Sequence, residues 1–384
     1  MTRTKIQQVF DNSWDLYYSS RTVPADHLKV ARAIMNCKTE SMGYNISTCE
    51  ECGYSETHYN SCRNRNCPNC QAILKEIWID KRKAEVIDAP YFHVVFTVPE
   101  ELNALIYSNQ KALYSLMHQT SSETLLELAK DKKYLGATPG IIQVLHTWGQ
   151  ELNYHPHIHC IVSGGGLTAT HKLKVSGGKF FIPIKVIRNV FRGKFLSYLK
   201  TLYDSDSLIF PGSIEHLSNP NEWQYLIDHL YSIDWCPYIK ETFNGFGNAI
   251  EYLGRYTHRI AITNTRVQTV TPDKVSFLAK NYKTGLSHVT TMNNTEFIRR
   301  LLMHVLPKGF QKIRYYGFLN NRFRSVNLKL IFKLQGFQRF HSMFNGMSTG
   351  EILLAAWGYR INVCKCCGSI DSMRITHRKY PMRC

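Results

Sequence analysis

The chain has 384 residues, 44% of them hydrophobic, with 47 Lys and Arg against 29 Asp and Glu and a net charge of +18. That length exceeds one small core and predicts two or three domains, while no stretch approaches the ~18 apolar residues that cross a bilayer. The opening "MTRTKIQQVFDNSWDLYYSS" lacks the apolar core of an export signal, so a cytoplasmic location is expected, and the cationic excess points to a polyanion, nucleic acid before membrane.

Residues 1–36 read as helical, and a cysteine module follows over about 37–72. Six of the twelve cysteines fall between Cys37 and Cys70 and four between Cys364 and Cys384, so they cluster like metal ligands and not like disulfide partners. Cys49 and Cys52 form one C-x-x-C knuckle and Cys67 and Cys70 another, and together they are expected to hold a tetrahedral structural zinc. Cys37, Cys62 and His58 are left over and could complete a second site. Arg63 and Arg65, between ligand cysteines, would be held out rigidly for phosphate, although solvated surface arginines have the same pattern.

"QAILKEIWIDKRKAEVID" has an amphipathic helical period that ends before Pro90, and "YFHVVFTVP" is a β-branched and aromatic strand closed by Pro99. A long helical stretch leads to the strand "IIQVLHTWGQ" and then to "LNYHPHIHCIVSGGG", which carries His155, His157 and His159 at alternate positions. Residues two apart on a strand share a face, so the imidazoles form a column suited to a divalent ion. Neighbouring strands in sequence tend to pair, which would bring His146 across from His157 and His159 as a third ligand. His155 and His93 are rivals for that place. Gly164–Gly166 allow a tight turn or a close approach to a ligand backbone.

"FIPIKVIRNVFRGKFLSYLKTLY" is again helical, "WCPYIKETF" reads as a strand, and "GFGNAIEYLGRYTHR" as a helix with Tyr252 and Tyr256 stacked four apart and Arg255 and Arg259 beside them. Strands through "IAITNTRVQTV" and "KVSFLAKNY" complete an α+β fold, an antiparallel sheet with helices on one face and a zinc-binding module before it. From Glu296 to Glu351 no acid intervenes, and Arg299, Arg300, Lys308, Lys312 and Arg314 are interleaved with aromatics such as Tyr315, Tyr316, Phe318 and Phe332. Such a stretch suits phosphate contacts and base stacking, unless the aromatics belong to the core. At the end, Cys364 and Cys367 are candidate zinc ligands, with Cys366, His377 and Cys384 as spares. The expected division is 1–88 helical and zinc-binding, 89–290 the sheet domain, and 291–384 a basic DNA-binding region.

The motifs "YNSCRNRNCPNCQ", "FHVVFTVPEELN", "LHTWGQELNYHPHIHCIVSGGG", "YLGRYTHRIAITNTRV" and "FIRRLLMHVLPKGFQKIRYYGFL", in this order, resemble the two-tyrosine HUH transposases of rolling-circle insertion sequences. The resemblance implies that His157-Ile158-His159 is the HUH element binding catalytic Mg²⁺ or Mn²⁺. It implies that Tyr252 and Tyr256 are the nucleophiles, forming 5′-phosphotyrosine on single-stranded transposon ends and target DNA in a bacterial cytoplasm. Lys280-Asn281-Tyr282 stands where the family more often has Lys-Asp-Tyr. Two other readings compete: a zinc-knuckle DNA-binding regulator without catalysis, and a plasmid-type rolling-circle replication initiator.

Overall fold

The N-terminal helices α1 (Lys5–Ser19) and α2 (Ala25–Asn36) form where the sequence has apolar residues at helical spacing, and a capping box between Thr4 and Gln7 starts the first. The structure is a computed structural model and describes residues 3–177, 182–235, 237–241, 254, 260–281, 284–336 and 341–380. The hairpin β1 (Tyr44–Cys49) and β2 (Ser55–Tyr59) follows, then α3 (Ala72–Lys83).

The central sheet begins with β3 (Tyr91–Thr97), which is buried along nearly its whole length, as an interior strand's unbroken apolar run requires. After α4 (Asn103–Ser108) and α5 (Gln110–Lys130) come β4 (Thr138–Trp148) and β5 (Tyr154–Leu167), with the short β6 (Leu173–Val175) on the end of β5. Next are α6 (Ile184–Asp204), α7 (Pro220–Ser232) and β7 (Tyr238–Glu241). A second, three-stranded sheet holds β8 (Val267–Val270), β9 (Lys274–Lys280) and β10 (Ser287–Asn293), followed by α8 (Asn294–Met303). The chain then adds β11 (Ile313–Gly317), α9 (Arg324–Gln335), α10 (Thr349–Trp357) and β12 (Met373–Lys379).

Strand order in the central sheet is β11-β4-β5-β3-β7, and each of these neighbour pairs is antiparallel. Side chains alternate cleanly on β5. Ile158, Cys160 and Val162 enter a core with Phe96, Leu145, Phe191 and Phe195, beneath α5 and α6. The opposite face carries the histidines and then Ile161, which packs with Ile142, Val144, Ile79, Leu328 and Phe332. Thus α5 and α6 cover one face, and α3 and α9 close part of the other.

The regions expected from the sequence interlock across their boundaries. Strand β11, from the basic stretch, forms the edge of the central sheet beside β4. Helices α1 and α2 share a core with β8, β9 and α8, through Phe10, Ile34, Phe277 and Phe297. The last strand, β12, pairs with β1 near the other end of the chain.

The three glycines are neither a turn nor an exposed approach to a ligand. They lie buried inside β5, where an added Cβ on Gly166 would strike the Thr138 carbonyl and one on Gly164 would come within 2.9 Å of Phe92. They permit close packing of the sheet on itself.

Because Ile158 is fully buried between two polar neighbours, Ile158→Ala should lower unfolding free energy by about 2–5 kcal/mol. Urea denaturation of the zinc-loaded protein measures it, and a change under 1 kcal/mol would mean the site collapses around the lost atoms.

Candidate active site and metal centres

The β4–β5 register sets His146 directly across from His157, with Val144 across from His159. Paired residues on adjacent antiparallel strands point the same way, so two strands deliver three imidazoles to one spot. His146, His157 and His159 can each place one ring nitrogen within 4.8 Å of the other two. His146 and His159 are buried at 2% and 7% exposure, and His157 is half-buried.

Two further contacts orient these rings. His157 Nδ1 donates to the His155 carbonyl at 2.7 Å, and His159 Nδ1 lies 2.8 Å from His93 Nε2. A proton on Nδ1 in each case would leave Nε2 as the available donor atom, the arrangement that suits a metal-binding histidine held from behind. His93 on β3 is itself buried and meets His159 edge to edge, the two rings nearly coplanar with centroids 5.1 Å apart. The rival third ligands thus fall into supporting places: His93 backs His159, and His155 contributes its carbonyl while burial lowers its own pKa. Trp148 stacks on His146 with centroids 4.5 Å apart. His304 bridges Thr147 and the Leu152 carbonyl, and burial pushes its pKa down to about 4, so it stays neutral.

Tyr252 and Tyr256, with Arg255 and Arg259, lie outside the described residues. Gly254 between the tyrosines is described: it is helical and buried, and a Cβ there would collide with Ile79 of α3. Ile79 belongs to the cluster with Ile142, Val144 and Ile161, which lies on the histidine face of the sheet.

The cysteines pair differently from the sequence expectation. Cys49 and Cys52 do not share a centre with Cys67 and Cys70. Cys67 and Cys70 gather with Cys37 and Cys62, whereas Cys49 and Cys52 gather with Cys364 and Cys367. The physical reason is the β1–β2 hairpin: it carries the first knuckle away from the second and pairs with β12, which follows the C-terminal knuckle. Sulfurs each ~2.3 Å from one tetrahedral zinc stand about 3.8 Å apart. Here Cys62–Cys70 measures 3.7 Å, Cys49–Cys367 3.8 Å and Cys52–Cys364 3.6 Å. Backbone N–H groups of Asn64, Asn69 and Cys366 point at knuckle sulfurs, and the Ser372 hydroxyl draws the Cys49 thiol down to about 6. Both donor sets fit structural zinc. A signal for the true pairing was present: Cys49-x-x-Cys52 and Cys364-x-x-Cys367 are both followed by glycine, and Gly53 and Gly368 share φ of +74°. His58, Cys366 and His377 belong to neither cluster, and Cys384 lies outside the described residues.

The basic residues divide by what they touch. Arg65 donates to the Leu306, Pro307 and Phe310 carbonyls and serves as a strut between module and sheet. Arg299 and Arg300 both grip Glu296, and Arg314 reaches Ser115. Arg63 and Lys308 are exposed, and Lys312 sits 4.9 Å over the Trp148 ring. Among the aromatics Phe318 and Phe332 are core, at 2% and 3% exposure.

Comparison with known proteins agrees with this architecture. A family described as "Putative transposase" matches residues 140–326, and a "Transposase zinc-binding domain" matches residues 9–98. The protein named "Putative transposase y4qJ" of Sinorhizobium fredii is 39% identical over 84% of this chain and 82% of its own length. The chain belongs to this transposase family. The transposase for insertion sequence element IS801 of Pseudomonas savastanoi pv. phaseolicola is 29% identical over 75% of the chain and 69% of its own length, so the kinship is with IS91- and IS801-type insertion-sequence transposases. No solved structure matches.

For this transposase, metal analysis of the purified chain should find two zinc ions. Cys364→Ser with Cys367→Ser should remove one, and Cys62→Ser with Cys67→Ser the other. Loss of both ions from either pair of substitutions would contradict two separate centres.

Proposed function

We propose that the chain is a metal-dependent transposase that nicks and rejoins single-stranded DNA through phosphotyrosine, using Tyr252 and Tyr256 as nucleophiles. The observation that carries the reading is the convergence of His146, His157 and His159, two of them with Nδ1 held from behind. A resident Mg²⁺ or Mn²⁺ would polarise the scissile phosphate. A tyrosine hydroxyl is a poor nucleophile near neutrality, its ordinary pKa being ~10, so such help is needed.

In the cleavage step the tyrosine oxygen bonds to phosphorus and the bond to the 3′-oxygen breaks. The phenolic proton is balanced by the 3′-hydroxyl that leaves, and the DNA 5′-phosphate stays on tyrosine. Attack by another 3′-hydroxyl reverses the bookkeeping and rejoins a strand without ATP. Two tyrosines allow two strands to be held in turn. Gly254 supports their involvement, since it packs on Ile79, on the histidine side of the sheet. The net charge of +18 suits a DNA substrate. Among the described residues no helix is long and apolar enough to cross a membrane, and we assign the work to DNA in the bacterial cytoplasm.

Labelled single-stranded oligonucleotides from the flanks of the gene, incubated with Mg²⁺ or Mn²⁺, should give a covalent band that protease removes. Tyr252→Phe with Tyr256→Phe should abolish that band while DNA binding persists, and retained adduct in the double variant would sink the nucleophile assignment. Binding by the wild type with no adduct on any flank would favour a non-catalytic regulator. His93→Ala should cost about 10–100-fold in cleavage rate or metal affinity; an unchanged rate and affinity would show that His159 needs no support.

A further inference from the structure

A cavity of about 250 Å³ lies where the zinc module meets the central sheet, floored by core side chains such as Ile34, Ala261, Leu301 and Leu306. Trp148, Lys312, Arg63, Asn66, His304 and Ile260 are among its walls. It adjoins the histidine centre, because Trp148 stacks on His146 at 4.5 Å. Ile260 lies four positions beyond Tyr256 in the chain. The space is somewhat below the ~300–1,000 Å³ of ordinary small-molecule sites, and suits one planar ring system that stays tethered outside.

The walls are largely apolar, and one indole, one carboxamide and two cations among them give the cavity what a nucleobase needs. An indole supplies a stacking surface that accepts any base. The Lys312 ammonium covers that surface at 4.9 Å from the ring centroid, and a flexible lysine can exchange a ring for a phosphate. The Asn66 side chain has no hydrogen-bond partner among the described residues, and its carboxamide offers a donor and an acceptor to a base edge. The Arg63 guanidinium has no hydrogen-bond or ion-pair partner among the described residues, and it stands exposed at a backbone φ of +54°. Arg63 and Asn66 flank ligand cysteines Cys62 and Cys67, so the metal centre fixes the loop that presents them. Burial keeps His304 neutral, so the wall adds no charge opposite the base.

We infer that this cavity takes one unstacked base of the DNA strand beside the scissile phosphate. In this arrangement the base lies on Trp148, Asn66 reads its edge, and Lys312 and Arg63 move onto the flanking phosphates. The inference rests on the single-strand reading above and gives the zinc module a part in choosing the cleavage position. Asn66 is then a specificity-determining residue and Trp148 a positioning residue for the strand.

The test uses the zinc-loaded full chain in the Tyr252→Phe/Tyr256→Phe background, so that binding is read without covalent capture. Flank-derived oligonucleotides carry 2-aminopurine, or an abasic gap, at one position after another. Anisotropy reports binding and 2-aminopurine fluorescence reports stacking. One position should be quenched on binding, and an abasic gap there should weaken binding about tenfold. Trp148→Ala should remove both the quenching and the gap penalty, and Trp148→Phe should keep most of each. Asn66→Ala should change which base is preferred at that position while quenching remains. Oligonucleotides that bind with no position dependent on Trp148, or an unchanged base preference in Asn66→Ala, would overturn the pocket and leave the single-strand reading standing. No binding of any oligonucleotide would overturn both.

Discussion

The pairing of β4 with β5 is the constraint on which the site depends. Its register puts His146 opposite His157 and Val144 opposite His159, so the imidazoles and a strip of aliphatic side chains share one face. On the other face Ile158, Cys160 and Val162 are fully buried. A slip of one residue would drive the histidines into the apolar core and expose the isoleucine. The core under α5 and α6 therefore enforces the geometry of the histidine cluster, and the same force that folds the sheet aligns the imidazoles. His93 on β3 adds a third strand to the arrangement through its hydrogen bond to His159.

Around that sheet the metal-binding cysteines do the work that a small module's own core cannot. One cluster ties Cys37, at the end of α2, to the loop of Cys62, Cys67 and Cys70. The other joins the β1–β2 hairpin to the C-terminal knuckle, beside a three-stranded sheet completed by β12. The two ends of the chain are thereby fastened together. The module is also braced on the sheet domain by Arg65, whose guanidinium reaches three carbonyls after α8. Ligand binding by folded thiolates contributes directly to stability, which explains how a short hairpin whose one buried residue is Cys49 holds its shape.

Much of this was legible in the sequence because it follows from local periodicity. Alternate histidines on a β-branched strand, and a neighbouring strand carrying His146, pointed to the cluster, with His155 and His93 left as rivals for its third place. What was hidden depended on long-range encounters. Sequence proximity favoured joining Cys49 and Cys52 to Cys67 and Cys70, but chain closure through β12 won; only the shared glycine after two of the knuckles hinted at it. The three glycines looked like a turn because spacing does not reveal that Thr138 and Phe92 crowd them. The aromatics of the basic stretch were ambiguous for the same reason: Phe318 and Phe332 are core, while Phe323 is half exposed. Likewise, charge alone did not reveal that Arg299 and Arg300 are occupied by Glu296.

The central claim is that three imidazoles from two strands hold the catalytic divalent ion. Electron paramagnetic resonance of the zinc-replete protein titrated with Mn²⁺ tests it most directly, because pulsed measurements detect nitrogen bound to manganese. The account predicts one tight Mn²⁺ per chain with imidazole nitrogen couplings, and loss of those couplings in His157→Ala/His159→Ala while both zinc ions remain. Manganese bound through oxygen ligands only, or nitrogen couplings unchanged in that variant, would contradict it.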